Sequence, residues 1–311
     1  MGSQVPLQLP TIDFSNINKH DQGTLIWNST KDQVFKAFQE YGCFEASFNE
    51  ISPDLRNTVF ASLKQLFNLP LETKLKNVPD KLFNGYVGQN KNAPLYESLG
   101  IEDPESFTNL MWPHGNHEFC NYIQSYIEKL TLLDQIVRMM VLESLNLEKY
   151  LEEHMELTNY LLRVMTYRVP KDNESNVGLN GHADKNILTI LHQNEVGGLE
   201  VQNDDEEWIK AKVSRNCFVV MAGETFNIWT NGRLRAAFHR VVMNGEGTRY
   251  SIGLFAIPKW GKFVKAPEEM VDEEHPLLFK PFDYGEFVKF YYKKENIGNK
   301  FVMKEYCGVS S

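Results

Sequence analysis

His182-Ala183-Asp184 finds its third matching residue, His239, only 55 positions further on (239 minus 184). In a strand, residues i and i+2 point to the same face, so His182 and Asp184 can converge on one ion while Ala183 points away. His239 can join them only if another strand runs alongside. A fold that faces two sheets across one cavity provides this, so the triad constrains the second half of the chain strongly. Two neutral imidazoles and one carboxylate suit Fe(II) and leave adjacent coordination positions open. A histidine-x-aspartate triplet alone is a weak signal, and its weight comes from its company. Arg249 lies ten positions past His239, and Ser251 follows two later. On a strand these two share a face, and a guanidinium fork beside a hydroxyl makes a carboxylate clamp. A lone arginine is more commonly a structural ion pair. Zinc hydrolysis is the alternative metal chemistry. It would want a general base beside the metal water, and no HExxH occurs. On spacing alone, Tyr167 reads as a core strand tyrosine.

The surrounding pattern agrees with two facing sheets. Strands are expected at 161–169, 187–192, 199–202, 208–213, 217–221, 236–243 and 250–257, short and separated by Gly, Asn, Asp or Arg turns. The first 150 or so residues read differently, as helices after one opening strand at 9–14. Thr30 with Gln33 predicts a capping-box start, and Gly42 the end of that helix. Ser52-Pro53 opens a second helix, with proline at its first turn. A looser Gly-, Asn- and Pro-rich stretch is expected from 74 to 116, then a long helix over 119–145. A closing helix is expected over 282–294. His192 is read as strand packing. His20, His114, His117, His154 and His275 have no partner at ligand spacing and are read as surface residues.

With 311 residues the chain can bury a large core without disulfides, and its four cysteines lie far apart with no paired spacing. Reduced thiols and a cytoplasmic location are the expectation. Residues 1–6 carry neither a basic nor an apolar signal region, and no run of apolar residues is long enough to span a membrane. The net charge of -9, with no basic block, argues against nucleic acid as a partner. A small-molecule substrate and a monomer are expected.

Taken together, these motifs resemble the plant 2-oxoglutarate- and Fe(II)-dependent dioxygenases over nearly the whole chain. The similarity runs from Pro10-Thr11-Ile12-Asp13-Phe14 through Leu66-Phe67-Asn68-Leu69-Pro70 and Gly197-Gly198-Leu199-Glu200-Val201 to Arg249-Tyr250-Ser251. Ser106-Phe107-Thr108-Asn109-Leu110-Met111-Trp112-Pro113 resembles the AOP-type subgroup most closely. So does Met165, which stands where many relatives have asparagine, so a second polar co-substrate contact is not implied there. Glu224 stands where an aspartate is frequent.

The resemblance implies a double-stranded β-helix (a cupin-like jelly roll, α+β or mainly β) with an α-helical N-terminal region and a C-terminal helix. Its expected parts are residues 1–155, a core at 156–260 and an extension at 261–311. It also implies that His182, Asp184 and His239 bind iron, and that Arg249, Ser251 and Tyr167 hold 2-oxoglutarate. O2 would be the oxidant, with ascorbate supportive. Phe255 and Ile257 are expected to face the substrate, together with Thr108, Leu110 and Trp112, which alternate along 107–113, and with Lys185 and Phe226. The implied reaction is hydroxylation or desaturation of a plant specialised metabolite, with release of succinate and CO2. A hormone-modifying oxygenase, acting on gibberellin or auxin, differs only in the pocket walls. A catalytically silent binding protein is the reading from another class.

Overall fold

The computed structural model describes residues 7–78, 84–212, 214–245, 247–293, 296, 298–299 and 301–309. Residues 1–6, Val213 of the expected strand at 208–213 and Lys294 of the expected closing helix lie outside them. Eight strands follow one another from Thr158: β4 (Thr158–Tyr167), β5 (Val177–Ala183), β6 (Leu188–Gln193), β7 (Leu199–Gln202), β8 (Trp208–Lys210), β9 (Cys217–Ala222), β10 (Phe238–Val242) and β11 (Arg249–Pro258). They divide between two sheets. The smaller has the order β5-β10-β7-β8, and the larger contains β9-β6-β11-β4. The chain crosses between the sheets almost strand by strand, which makes the double-stranded β-helix.

Three earlier strands extend the larger sheet: β1 (Thr11–Asp13), β2 (Cys43–Ser47) and β3 (Tyr96–Ile101). The helical reading of the N-terminal region missed β2 and β3. Cys43–Ser47 pairs with β9 and is buried almost throughout, so it lacks the alternation of a half-exposed strand. Gly42 makes this entry possible. Its φ is +70°, and a Cβ there would meet the Arg235 carbonyl oxygen at 2.6 Å.

Helices pack on the outer side of the larger sheet. They are α1 (Leu25–Glu40), α2 (Pro53–Phe67), α3 (Leu71–Lys74), α4 (Pro104–Met111), α5 (His117–Ser144) and α6 (Leu151–Glu156). Thr24 caps α1 by accepting from the Trp27 N–H, so Thr30 is a buried mid-helix residue and not the start. Ser52 and Pro53 open α2 as expected. The long helix α5 buries Ile123, Tyr126, Leu130, Ile136 and Met140, and lies against α1, α2, β6 and β11. One polar cluster crosses this core. Arg138 of α5 is fully buried, pairs with Asp134 at 2.6 Å, and donates to the Tyr160 and Thr158 hydroxyls at 2.8 and 2.9 Å. The cluster pins the start of β4. Removing one partner would strand a buried charge, at about 3–5 kcal/mol. A short helix, α7 (Glu224–Trp229), lies between β9 and β10. Beyond β11, the ladder of β12 (Phe263–Val264) with β13 (Phe282–Asp283) leads into α8 (Tyr284–Tyr291) and α9 (Val302–Cys307). No helix among the described residues is long and apolar enough to cross a membrane.

Two histidines belong to this core. His192 is buried, hydrogen-bonds the Tyr126 hydroxyl through Nδ1, and donates from Nε2 to the Arg215 carbonyl at 2.8 Å. His154 corrects the surface expectation: only 3% of it is exposed, and its ring lies 4.5 Å from Trp229. Burial lowers both from the ordinary 6.5, His192 to about 3. Unfolding therefore takes up protons wherever the pH lies below 6.5. Their contribution is fully present above that pH and is lost as pH falls toward the folded values, by up to about 1.4 kcal/mol per pH unit for each histidine. We expect the thermal midpoint to drop between pH 6.5 and 4, and His154→Phe to flatten the drop. A midpoint independent of pH across that interval would contradict the neutral, buried assignment.

Candidate active site

The smaller sheet brings the triad together. His239 of β10 is the direct cross-strand partner of His182 on β5, and their rings lie 4.3 Å apart. Asp184 sits one residue past the end of β5. Its Oδ1 lies 3.5 Å from His182 Nε2 and 4.0 Å from His239 Nε2. One ligand atom from each of the three falls within 4.8 Å of the others. Backbone carbonyls set the tautomers. His182 Nδ1 donates to the Asn180 oxygen at 2.9 Å, and His239 Nδ1 to the Ala237 oxygen at 3.1 Å. A carbonyl can only accept, so each Nδ1 carries a proton and each Nε2 is turned toward Asp184. Burial also holds His239 down to about 4, neutral and ready to ligate. For Asp184 burial works against ionisation. The two histidines and the Thr189 hydroxyl, which donates at 2.6 Å, outweigh it and hold the carboxyl well below the usual range. This donor set fits a divalent metal.

The clamp residues lie on the larger sheet. Arg249 opens β11 directly opposite Tyr167, the last residue of β4. Its guanidinium sits 5.0 Å from the Tyr167 ring centre. Gly178 makes room for that ring, since a Cβ there would meet it at 2.7 Å. Arg249 donates from Nη1 to Ser251 Oγ at 2.9 Å, and from Nε and Nη2 to Gln193 Oε1 at 3.1 and 2.8 Å. Three of five N–H groups are thus used, and the Tyr167 hydroxyl is a further hydrogen-bond partner of the guanidinium. Arg249 is 1% exposed, and no carboxylate among the described residues pairs with it. A buried, unpaired guanidinium calls for an anion. Burial pushes the Tyr167 hydroxyl up, so it stays protonated and can donate. Met165, opposite Ser251, offers only a thioether.

A cavity of about 490 Å³ opens beside His182 and Asp184. Phe255 and Ile257 line it as expected, and so does Lys185. Their β4 partners Leu161 and Asn159 line it too. Four other expectations fail. Thr108, Leu110 and Trp112 do not alternate along an extended segment. Residues 104–111 form α4, where the Thr108 hydroxyl donates to the Pro104 carbonyl, and Trp112 just beyond it rests 4.7 Å from Phe119. Phe226 lies in α7, its ring centre 5.4 Å from that of His154. None of the four lines the cavity. The wall missed from sequence is aromatic: Trp260, Tyr284, Phe287, Tyr291 and Tyr292. Tyr284, Phe287, Val288 and Tyr291 sit at i, i+3, i+4 and i+7 on α8, and that apolar-stripe spacing is the sequence signal that marks this face as buried.

A jelly roll carrying two histidines and a carboxylate beside a cavity, with a buried arginine waiting for an anion, is a non-haem iron oxygenase. Comparison with known proteins refines this class. Residues 152–258 match the 2OG-Fe(II) oxygenase superfamily, and residues 9–129 match the N-terminal region of non-haem dioxygenases in morphine synthesis. The chain is 47% identical to the probable 2-oxoglutarate-dependent dioxygenase AOP1 of Arabidopsis thaliana, over 92% of this chain and 97% of that protein. The chain belongs to the 2-oxoglutarate-dependent dioxygenases, and among them to the plant AOP type. It is an enzyme that uses Fe(II), 2-oxoglutarate and O2 on a small molecule. A rice dioxygenase for auxin oxidation superimposes with a TM-score of 0.81 at 26% identity, covering 97% of this chain and all of that one. The Arabidopsis dioxygenase for auxin oxidation 1, solved with 2-oxoglutarate, gives 0.77 at 26%, covering 86% and all of it.

Proposed function

We propose that this dioxygenase holds Fe(II) with His182, Asp184 and His239, grips the far carboxylate of 2-oxoglutarate with Arg249 and Ser251 beside Tyr167, and oxidises a plant specialised metabolite in the aromatic cavity. The observation that carries the reading is Arg249. It is a buried cation with no carboxylate partner among the described residues, on the sheet facing the triad. When bound, the iron and co-substrate couple oxidative decarboxylation of 2-oxoglutarate, giving succinate and CO2, to hydroxylation or desaturation of a substrate C–H bond.

The protein's own share is orientation and exclusion of water. The Asn180 and Ala237 carbonyls fix both imidazoles, and Thr189 fixes the Asp184 carboxylate. Gln193 holds two guanidinium N–H groups in place, so the fork is oriented before a carboxylate arrives. Phe255, Ile257 and the rings of α8 pack the substrate against the triad. Residues 156–260 carry the catalytic core in this reading, with 1–155 and 261–311 built around it. A cytoplasmic monomer with no nucleic-acid partner accords with the net charge of -9. The likeness to dioxygenases for auxin oxidation supports a second reading, a hormone-modifying oxygenase sharing every catalytic residue.

Purified protein supplied with Fe(II), ascorbate, 2-oxoglutarate and a plant metabolite extract should release succinate in step with a product heavier by one oxygen or lighter by two hydrogens. Succinate at the background of the extract-free control for every extract would sink the metabolite reading. Gln193→Leu is expected to raise the 2-oxoglutarate requirement about tenfold, because two hydrogen bonds to a charged group are lost. An unaltered requirement would remove Gln193 from the clamp.

A further inference from the structure

Among the described residues that line the cavity, no cation is free to meet an acid. Among the described residues lining it, Lys185 is the only lysine or arginine. Its ammonium is bound by the Glu224 carboxylate and lies 5.5 Å from the Tyr291 ring centre. Both partners are fastened through their backbones. The Lys185 carbonyl accepts from the Thr225 hydroxyl at 2.5 Å, and the Glu224 N–H donates to the Asp184 carbonyl at 2.8 Å. The two side chains are only 14% and 15% exposed. For Lys185 to turn toward a ligand acid, it would have to abandon a carboxylate that solvent barely reaches. One ion pair would be exchanged for another, with a buried charge left behind.

The remaining surroundings push the same way. Glu102 adds a second carboxylate to the lining besides Asp184. Tyr160, Phe255, Trp260, Phe287, Tyr291 and Tyr292 present ring surfaces. Such faces attract cations and flat uncharged skeletons, while Asn159, Trp260 and the tyrosine hydroxyls bring hydrogen-bonding groups but no positive charge to meet an acid. We propose that the cavity selects a ring-rich substrate that is uncharged or carries an amine, and that the Lys185–Glu224 lock excludes carboxylates. The inference rests on this cavity being the substrate site of the oxygenase. It separates the two readings above, since a hormone acid would need the cation that Glu224 occupies.

The test uses three indoles that share a ring system and differ in charge: indole-3-acetamide, tryptamine and indole-3-acetate. Each is titrated calorimetrically into the anaerobic enzyme loaded with Fe(II) and 2-oxoglutarate. The absorption band of the Fe(II)–2-oxoglutarate complex, recorded before any indole is added, tests the cofactor reading separately. With that band present, the amide and the amine are expected to bind at least about tenfold more tightly than the acetate. Glu224→Gln, which releases Lys185, is expected to strengthen acetate binding by a similar factor. Should that variant fold poorly, Lys185→Met combined with Glu224→Met removes both charges and is expected to keep the acetate excluded. Acetate bound as well as the amide by the parent enzyme overturns the proposal. So does an unchanged preference in folded Glu224→Gln, or acceptance of acetate by the double variant.

Discussion

Alanine at His182 or Asp184 is expected to abolish 2-oxoglutarate-dependent turnover, by more than the 10- to 100-fold typical of groups that merely support a metal ligand. Each residue supplies one of three converging atoms, and no fourth His, Cys, Asp or Glu among the described residues joins the cluster. The fold should survive. His182 is partly exposed at the end of β5, and its alanine variant removes no core packing. Asp184→Ala leaves the Thr189 hydroxyl the Asn186 Oδ1 acceptor at 3.3 Å and keeps the backbone contact to Glu224. Thr189→Val is the graded control, expected within the 10- to 100-fold range because it frees the carboxylate without deleting it. Succinate release, Fe(II) titration and a thermal melt separate these effects. A His182→Ala enzyme that still binds Fe(II) and retains a tenth of parental turnover would refute the ligand assignment.

The triad is legible in the sequence because the strand period is short and strict. His182 and Asp184 have to share a face, and His239 needs only a neighbouring strand, which the β5–β10 pairing supplies. Arg249 and Ser251 are legible for the same reason. Gln193 is not, because its role depends on β6 lying beside β11, a register that separates Gln193 from Ser251 by 58 positions in sequence and none in space (251 minus 193). Thr108, Leu110 and Trp112 mislead because an alternating reading over so short a segment as 107–113 also fits a short helix, and Asp103 with Pro104 in fact starts one. The α8 wall carries a clear helical stripe, but periodicity identifies a buried face without saying whether core or cavity lies opposite. His154 is misread because its partner Arg138 comes from another helix, which spacing along the chain does not reveal.

Arg249→Ala is expected to raise the concentration of 2-oxoglutarate needed for half-maximal rate by about 10- to 150-fold, with a smaller change in the maximal rate. The range follows from about 1.5–3 kcal/mol for a hydrogen-bonded charge pair. Arg249→Lys should fall between the parent and alanine. An ammonium keeps the charge, but it cannot serve Gln193, Ser251 and a carboxylate together in one plane. Stability should move oppositely in the absence of co-substrate. The buried guanidinium has no described counter-ion, so Arg249→Met, of comparable length and uncharged, is expected to melt no lower than the parent enzyme. Saturating 2-oxoglutarate should then raise the melting point of the Fe(II)-loaded parent, through RT ln(1 + [L]/Kd), and shift the methionine variant far less. Measuring both quantities matters because a merely structural arginine would lower stability without touching the co-substrate requirement. If the requirement stays constant in Arg249→Ala while the melting point falls, Arg249 braces β11 against β6 and the anion site lies elsewhere.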